Sequence, residues 1–324
     1  MTLSTTGLTL EQWLIRQSLP TALQTVVIDM ATACQQIADK VGKTTKITLV
    51  GTENSHGEAQ KSLDIESHQL IAAILKKNTA IAAMVSEETE SIIDNQHDCD
   101  DSCRYLLAFD PLDGSSNIGL NMPVGTIFSV LPCPVGKPVN EDMFLQSGEQ
   151  QLVAGFCIYG PSTLLILTAG DGVASFMLSA TEGVFTLIQS QFIIPPTTTE
   201  FAINMSNQYR WQPPIQRYID ECISGLRQPQ FNMRWTASMV ADVYRLLIRG
   251  GIFLYPQDDK HTTQGGRLRL LYEVNPMGWI IEQAGGASST GKQSVLTVMP
   301  QHIHQCVPVI LGATEEVRRI ESYY

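Results

Sequence analysis

The sequence predicts an α/β protein with two layered, sheet-containing halves. Three observations carry this reading: an amphipathic N-terminal stretch, a series of short apolar runs bounded by Gly, Pro and Asp, and a proline break that separates two such series. Leu19, Leu23, Val26, Val27, Met30, Ile37 and Val41 recur at helical spacing over the first forty residues. Lys46–Val50 reads as a strand ended by Gly51, and the polar stretch Gly51–Gln60, with two glycines, reads as a mobile loop. Ser62 stands where it would cap a helix running to about Lys77. The runs Ala80–Val85, Tyr105–Phe109, Thr126–Leu131, Val153–Tyr159, Leu164–Thr168 and Val173–Leu178 read as strands, several buried on both faces. Pro195-Pro196-Thr197-Thr198-Thr199 interrupts regular structure and divides the chain into residues 1–196 and 197–324. Beyond it, strands are expected at Phe201–Asn204 and Gly251–Tyr255. Helices are expected near Ile215–Ile223, Ser238–Ile248 and Pro276–Gln283, with a last one from Glu315.

Composition narrows the function classes. Hydrophobic residues make up 44% of the 324 positions and charged residues only 16%, which suits a core-forming protein and excludes wholesale disorder. The net charge is 21 − 32 = −11, and without a basic stripe duplex nucleic acid is an unsuitable partner. No apolar run reaches the ~18 residues that span a bilayer, and the start has neither a basic region nor a compact apolar one. Cys34, Cys99, Cys103, Cys133, Cys157, Cys222 and Cys306 are odd in number and scattered, so a reduced, cytoplasmic protein without a membrane partner is expected.

The sharpest feature is Asp110-Pro111-Leu112-Asp113-Gly114-Ser115-Ser116-Asn117, just past the buried run Tyr105–Phe109. Pro111 cannot donate to a sheet ladder and is expected to turn the chain off the sheet there. The two carboxylates and the Leu112 carbonyl can then face one space. Gly114 permits close backbone approach, and Ser115, Ser116 and Asn117 offer backbone N–H groups to an anion. Hard oxygen ligands beside a phosphate cradle are the donor set Mg²⁺ uses. Singly, an Asp-x-x-Asp is more often a turn with a capping Ser. Further acids follow other runs: Glu87 and Glu88 after Ile81–Val85, and Glu273 after Leu268–Tyr272. Glu53, Glu58 and Asp64 stand in or just after the Gly51–Gln60 stretch. Acids converging from separate elements suggest phosphoryl transfer with several metal ions.

Together these blocks resemble the class I fructose-1,6-bisphosphatase family. The matching pieces include Gly57–Asp64, Ser86-Glu87-Glu88, Asp110–Asn117, Pro123–Phe128, Ser238–Asp242, Gly250–Pro256 and Leu268–Glu273. The Asp-Pro-Leu-Asp-Gly-Ser core is shared with the inositol monophosphatase superfamily, but the Trp-Asp pair of those enzymes is replaced here by Leu-Arg-Leu-Leu-Tyr-Glu. The resemblance implies a layered α-β-α-β-α sugar phosphatase fold and hydrolysis of the 1-phosphate of fructose 1,6-bisphosphate. It implies two or three Mg²⁺ ions, replaceable by Mn²⁺, held by Glu87, Asp110, the Leu112 carbonyl, Asp113, Glu273 and, on loop closure, Glu58. Asp64 and Glu88 would position and deprotonate the attacking water, and Ser115 and Ser116 would bind the 1-phosphate. Asn204, Tyr255, Arg267 and Arg234 would grip the sugar and its distal phosphate. Arg234 would reach in from a neighbouring subunit, in a homotetramer or at least a homodimer.

The sequence departs from the family on the sugar side. Arg267 stands for the usual Lys, Trp235 for Tyr, and Asn204-Met205-Ser206-Asn207 for Asn-Glu-Gly-Tyr. Sedoheptulose 1,7-bisphosphate is therefore a second candidate substrate. A broader inositol-phosphatase-like monophosphatase and a non-catalytic sensor are the other readings. The AMP site of animal and enteric members falls on Ser18–Ala22 and Pro132, with only Arg104-Tyr105 compatible, so AMP inhibition is expected to be weak or absent. A Cys99–Cys103 redox switch is disfavoured by the neighbouring Asp98, Asp100 and Asp101.

Overall fold

The computed structural model describes residues 7–44, 53–95, 105–134, 139–258 and 265–324; for residues 44 and 53–61 it describes the backbone alone. The first half comprises α1 (Leu10–Arg16), α2 (Thr21–Thr44), α3 (Glu53–Leu75), β1 (Ile81–Ser86), β2 (Ile93–Asp94), β3 (Tyr105–Asp113), β4 (Val124–Pro132), β5 (Val153–Tyr159), β6 (Thr163–Thr168), β7 (Ala174–Leu178) and β8 (Phe185–Gln189). The second comprises β9 (Glu200–Ala202), α4 (Pro213–Ile223), β10 (Asn232–Met233), α5 (Met239–Arg249), β11 (Ile252–Tyr255), β12 (Leu268–Arg269), α6 (Asn275–Gln283), β13 (Ala287–Ser289), β14 (Cys306–Val307), β15 (Val309–Gly312) and α7 (Thr314–Glu321).

Two large sheets and a separate β12–β14 pair organise these elements. The larger has the order β2-β1-β3-β4-β5-β6-β7-β8, and the smaller β10-β9-β11-β15-β13. Alternation along the strands decides what each sheet face covers. In β5, Val153 and Cys157 pack with Val26, Met30 and Ile37 of α2, whereas Ala154 and Phe156 pack with Val240 of α5 and Ile280 of α6. In β11, Phe253 faces α5 and α6, whereas Ile252 and Leu254 face Ile215 and Ile219 of α4 and Val317 of α7. The layers are thus α1–α3, large sheet, α5–α6, small sheet, α4–α7, the α-β-α-β-α order. Both central strands are apolar on both faces because each has a helix layer on either side.

Several expectations are corrected. From Glu53 to Gln60 the backbone is helical and continuous with α3, where a loop was expected. Helix-forming Glu, Ala, Gln and Lys residues outweigh the single interior Gly57. Ser62 is accordingly no cap; its hydroxyl donates to Glu66 at 3.1 Å. Pro111 does not turn the chain off the sheet, since β3 runs on through Asp113. The Lys46–Val50 strand, Cys99, Cys103 and Arg104 lie outside the described residues, as does the side chain of Glu58. Among the described residues, no helix is long and apolar enough to cross a membrane.

Candidate active site

A cleft of about 410 Å³ opens where the two halves meet, lined by the ends of β3, β11 and β12. Its acidic floor is made by an irregularity in β3. Phe109 pairs with Ser86 of β1 and Phe128 of β4, and β1 then ends. Along β4, Asp110 pairs with Ile127 but Asp113 pairs with Gly125, so three steps on β3 match two on β4. Side chains in a regular strand alternate, and residues three apart would face opposite ways. The one-residue bulge cancels that inversion and turns Asp110 and Asp113 to one side. Pro111, which lacks an N–H, costs no ladder bond inside the bulge, and its carbonyl accepts the Thr126 hydroxyl at 2.9 Å. Gly125 is required opposite the bulge, because a side chain there would run into the Cys157 carbonyl and Val240.

Glu273 arrives from a π-helical turn, Leu270–Val274, that leads into α6. Such turns concentrate at functional sites because the extra residue re-aims one side chain. Carboxylate oxygens of Asp110, Asp113 and Glu273 lie within 4.8 Å of one another. All three residues are buried, Glu273 at 3% exposure. Burial, with repulsion from neighbouring carboxylates, disfavours the charged form of all three. Burial, then Glu87, raises Glu273 to about 8. Burial raises Asp113 to about 6, opposed by its bonds from Val240 and Ser238. Asp110 is pushed well above the carboxylate range by burial and by Glu87, Glu273 and Asp113. An all-oxygen, like-charged, buried donor set fits a hard divalent cation. Such a cation would remove the repulsion that the chain alone leaves.

The remaining groups surround this cluster. Leu112 lines the cleft, and its N–H donates to Asp110 Oδ1 at 2.9 Å, so the carboxylate is also the acceptor of an Asx-type turn. Glu87 lines the cleft but stands outside the close trio, its carboxylate held at 2.6 Å by Arg269. Arg269 also donates its backbone N–H to Glu273 at 2.6 Å. Asp64, on α3, is raised to about 7 by burial and then by Glu88, and hydrogen-bonds the Ser115 side chain. Gly114, at φ +72°, enters a 3₁₀ turn, Ser115–Leu120, whose first two residues line the cleft. The Asn117 N–H, expected to face an anion, instead closes this turn on the Gly114 carbonyl at 2.8 Å.

The opposite wall is aromatic and cationic. Trp235 stacks on Phe253 with centroids 5.9 Å apart, Tyr255 leans on both, and the Arg267 guanidinium lies 5.9 Å from the Tyr255 ring. Asn204 lines the same cleft while its side chain accepts from the Ser206 N–H. Arg234 does not line the cleft of its own chain: it is half exposed just after β10, 3.9 Å from Glu200.

Four residues around the cleft have contacts that the sequence reading did not foresee. Arg269 lies inside the Leu268–Glu273 block, four residues before Glu273, and that spacing was its signal. Asn117 donates its side-chain amide to the carbonyls of Thr236 and Ala237 at 3.2 and 3.3 Å, tying the Ser115–Leu120 turn to the second half. Val240 and Ser238 donate to Asp113. No local pattern announces partners 119 to 127 residues apart.

Comparison with known proteins agrees with this geometry. Residues 2–190 match the family described as "Fructose-1-6-bisphosphatase, N-terminal domain", and residues 194–324 match "Fructose-1-6-bisphosphatase, C-terminal domain". A class 1 fructose-1,6-bisphosphatase of Methylobacillus flagellatus is 47% identical over 327 residues, covering 98% of each chain. That of Methylacidiphilum infernorum is 49% identical over 310 residues, covering 93% of this chain and 86% of the relative. Among solved structures, Leishmania major fructose-1,6-bisphosphatase in holo form superposes with a TM-score of 0.88 at 32% identity, covering 98% of this chain and 99% of that one. Its T-state form gives 0.86. The chain belongs to the class 1 fructose-1,6-bisphosphatase family, whose members depend on divalent metal ions.

Proposed function

We propose that the protein hydrolyses the 1-phosphate of fructose 1,6-bisphosphate to fructose 6-phosphate and phosphate, with Mg²⁺ as the metal. The convergence of Asp110, Asp113 and Glu273 within 4.8 Å, beside the Ser115–Ser116 turn, carries the reading. Asp110, Asp113, Glu273, Glu87 and the Leu112 carbonyl would hold two or three Mg²⁺ ions, with Glu58 as a further ligand; Mn²⁺ would serve as well. When bound, the ions supply the positive charge that draws in a bisphosphate and stabilises the oxygens of the transferring phosphoryl group.

The protein's own groups do the rest. Asp64, with Glu88 beside it, accepts the proton of the attacking water at its carboxylate, a role suited to a group near 7. Ser115 and Ser116 hold the 1-phosphate at the Gly114 turn. Arg267 pairs with the distal phosphate, Asn204 and Tyr255 contact the sugar, and Arg234 reaches the site of a neighbouring copy. The complete site thus needs at least a homodimer, with a homotetramer as the assembly. The division at residues 196/197 follows the change of sheet, and the four buried free cysteines among the described residues suit a reducing cytoplasm.

Phosphate release from fructose 1,6-bisphosphate with Mg²⁺, against an Asp110→Asn control, tests the proposal; equal release from both proteins refutes it. Activity on sedoheptulose 1,7-bisphosphate is a second reading, favoured by the Trp235–Tyr255–Arg267 wall, where the chain departs from its family. A kcat/KM several orders lower on the longer sugar rejects that reading.

A further inference from the structure

The turn that carries Glu87 and Glu88 leaves the sheet at the end of β1 and is short. Its Glu87 N–H donates to the Phe109 carbonyl at 3.2 Å, and its Thr89 N–H to the Ser86 carbonyl at 3.4 Å. Glu87 and Glu88 both press on Asp64 by like charge, so electrostatic repulsion pushes this turn away from α3. Two histidines hold it at its two ends.

At the first end, Ser86 is fully buried, and its hydroxyl accepts the Glu88 N–H at 3.3 Å. The same hydroxyl shares a 2.8 Å hydrogen bond with Nδ1 of His68. His68 lies one helical turn beyond Asp64 on α3 and stacks on Phe109, with ring centroids 6.0 Å apart and planes 20° from parallel. One helix therefore presents Asp64 and also fixes the turn that bears Glu88. At the second end, His304 Nε2 lies 3.3 Å from the Glu90 carbonyl, and His304 Nδ1 lies 2.9 Å from the Tyr272 hydroxyl. A carbonyl can only accept, so Nε2 carries the proton and Nδ1 accepts from Tyr272. Tyr272 immediately precedes Glu273, so this chain of bonds ties the turn to the element that supplies the third carboxylate.

We propose that His68 and His304 are positioning residues that clamp the Ser86–Glu90 turn from the two halves of the molecule, setting Glu87 for metal binding and Glu88 against Asp64. The proposal rests on the phosphatase reading for its consequence in catalysis and on the hydrogen bonds for its consequence in metal affinity. The histidines belong neither to the cleft lining nor to the acidic trio; they act through Ser86 and Glu90.

The test compares His68→Ala and His304→Ala with His68→Asn, whose amide stands where Nδ1 stood, and His304→Gln, whose amide N–H reaches toward Glu90. Mn²⁺ binding is measured by electron paramagnetic resonance without substrate, together with kcat, KM and the thermal midpoint. Each alanine variant is expected to weaken Mn²⁺ binding roughly fivefold and lower kcat by about tenfold, the effect of about one hydrogen bond. KM is expected to stay within about twofold, and the amide variants to recover most of the loss. Unchanged Mn²⁺ affinity and kcat in both alanine variants would overturn the clamp. So would a loss that follows thermal unfolding without amide rescue, or a raised KM with kcat intact. A wild-type protein that released no phosphate would instead defeat the phosphatase reading, and Mn²⁺ affinity alone would then decide the clamp.

Discussion

Oδ2 of Asp113 accepts the Val240 N–H at 3.1 Å, so a carboxylate on the floor of the first half serves as the acceptor at the start of α5 in the second. Helix N-termini favour negative charge, and the bond accordingly opposes the upward push on Asp113. The two roles of this carboxylate separate by mutation. Asp113→Asn keeps an acceptor oxygen and removes one repelling charge, so it is expected to unfold at or above the wild-type midpoint while losing nearly all activity. Asp113→Ala also orphans the Val240 N–H and is expected to be less stable by about 1–2 kcal/mol. Differential scanning calorimetry in the presence of chelator decides; equal midpoints for the two variants contradict the capping role.

Arg269 neutralises Glu87 at 2.6 Å and approaches Glu273 at 4.0 Å. It supplies part of the positive charge that the acidic floor needs before metal arrives. Arg269→Met should therefore cost the metal-free protein about 1–2 kcal/mol, at the low end for a buried pair because the side chain is partly exposed. Divalent metal should raise the variant's midpoint by more than it raises that of the wild type. A thermal-shift titration with Mn²⁺ measures both numbers, and equal shifts would mean that Arg269 does not share the metal's electrostatic role.

The floor also predicts how stability depends on pH. Asp110, Asp113 and Glu273 bind protons more tightly in the folded chain than in the unfolded one, with Glu273 raised to about 8 from 4.5 and Asp113 to about 6 from 3.8. Their contribution is fully present below their unfolded pKa values and is lost as pH rises through the folded ones. Metal-free protein should accordingly lose stability between about pH 4 and 8, and Mg²⁺ should stabilise most at the upper end, where protons no longer compete. Asp110→Asn should flatten the metal-free slope. Urea titrations at several pH values read it directly, and an unaltered slope in the variant would assign the dependence elsewhere.

On the sugar side, Arg267→Ala should raise KM for fructose 1,6-bisphosphate roughly ten- to hundredfold, the worth of one charge-assisted contact to phosphate, with a smaller change in kcat. Arg234→Ala should do the same although Arg234 does not line its own cleft. Mixing the Arg234→Ala and Asp113→Asn proteins then distinguishes shared from private sites. Recovery of low-KM activity in mixed assemblies is expected, because an intact floor then meets an intact Arg234. No recovery after verified subunit exchange would confine Arg234 to its own chain.

How much of this was legible in the sequence differs element by element. Val153–Tyr159, buried on both faces, was readable to the residue, and the neighbouring buried strands were found with shifted ends, because apolar runs of that length bounded by polar residues have few alternatives. The Glu53–Gln60 segment was misread because two polar arrangements, loop and exposed helix, share one composition. Short strands such as Ala287–Ser289 left no signal, since their pairing with β15 supplies what three residues cannot. Among site residues, Asp110 and Asp113 announced themselves by proximity in sequence. Glu273 did so only through its block, Asn117 in a different role, and Arg269 and Val240 hardly at all.

The sequence by itself determined the chemistry: which carboxylates, which cradle and which arginines are available, and hence that an acidic chain can serve a phosphorylated ligand. Only the tertiary structure decided that these groups meet. A one-residue bulge turned Asp110 and Asp113 to the same side, a π-helical turn brought Glu273 within reach, and Arg269 took up Glu87. Local pattern encodes periodicity and residue type. The direction of a side chain after a register shift, and the energy of like charges brought together in a buried floor, exist only once distant segments are packed.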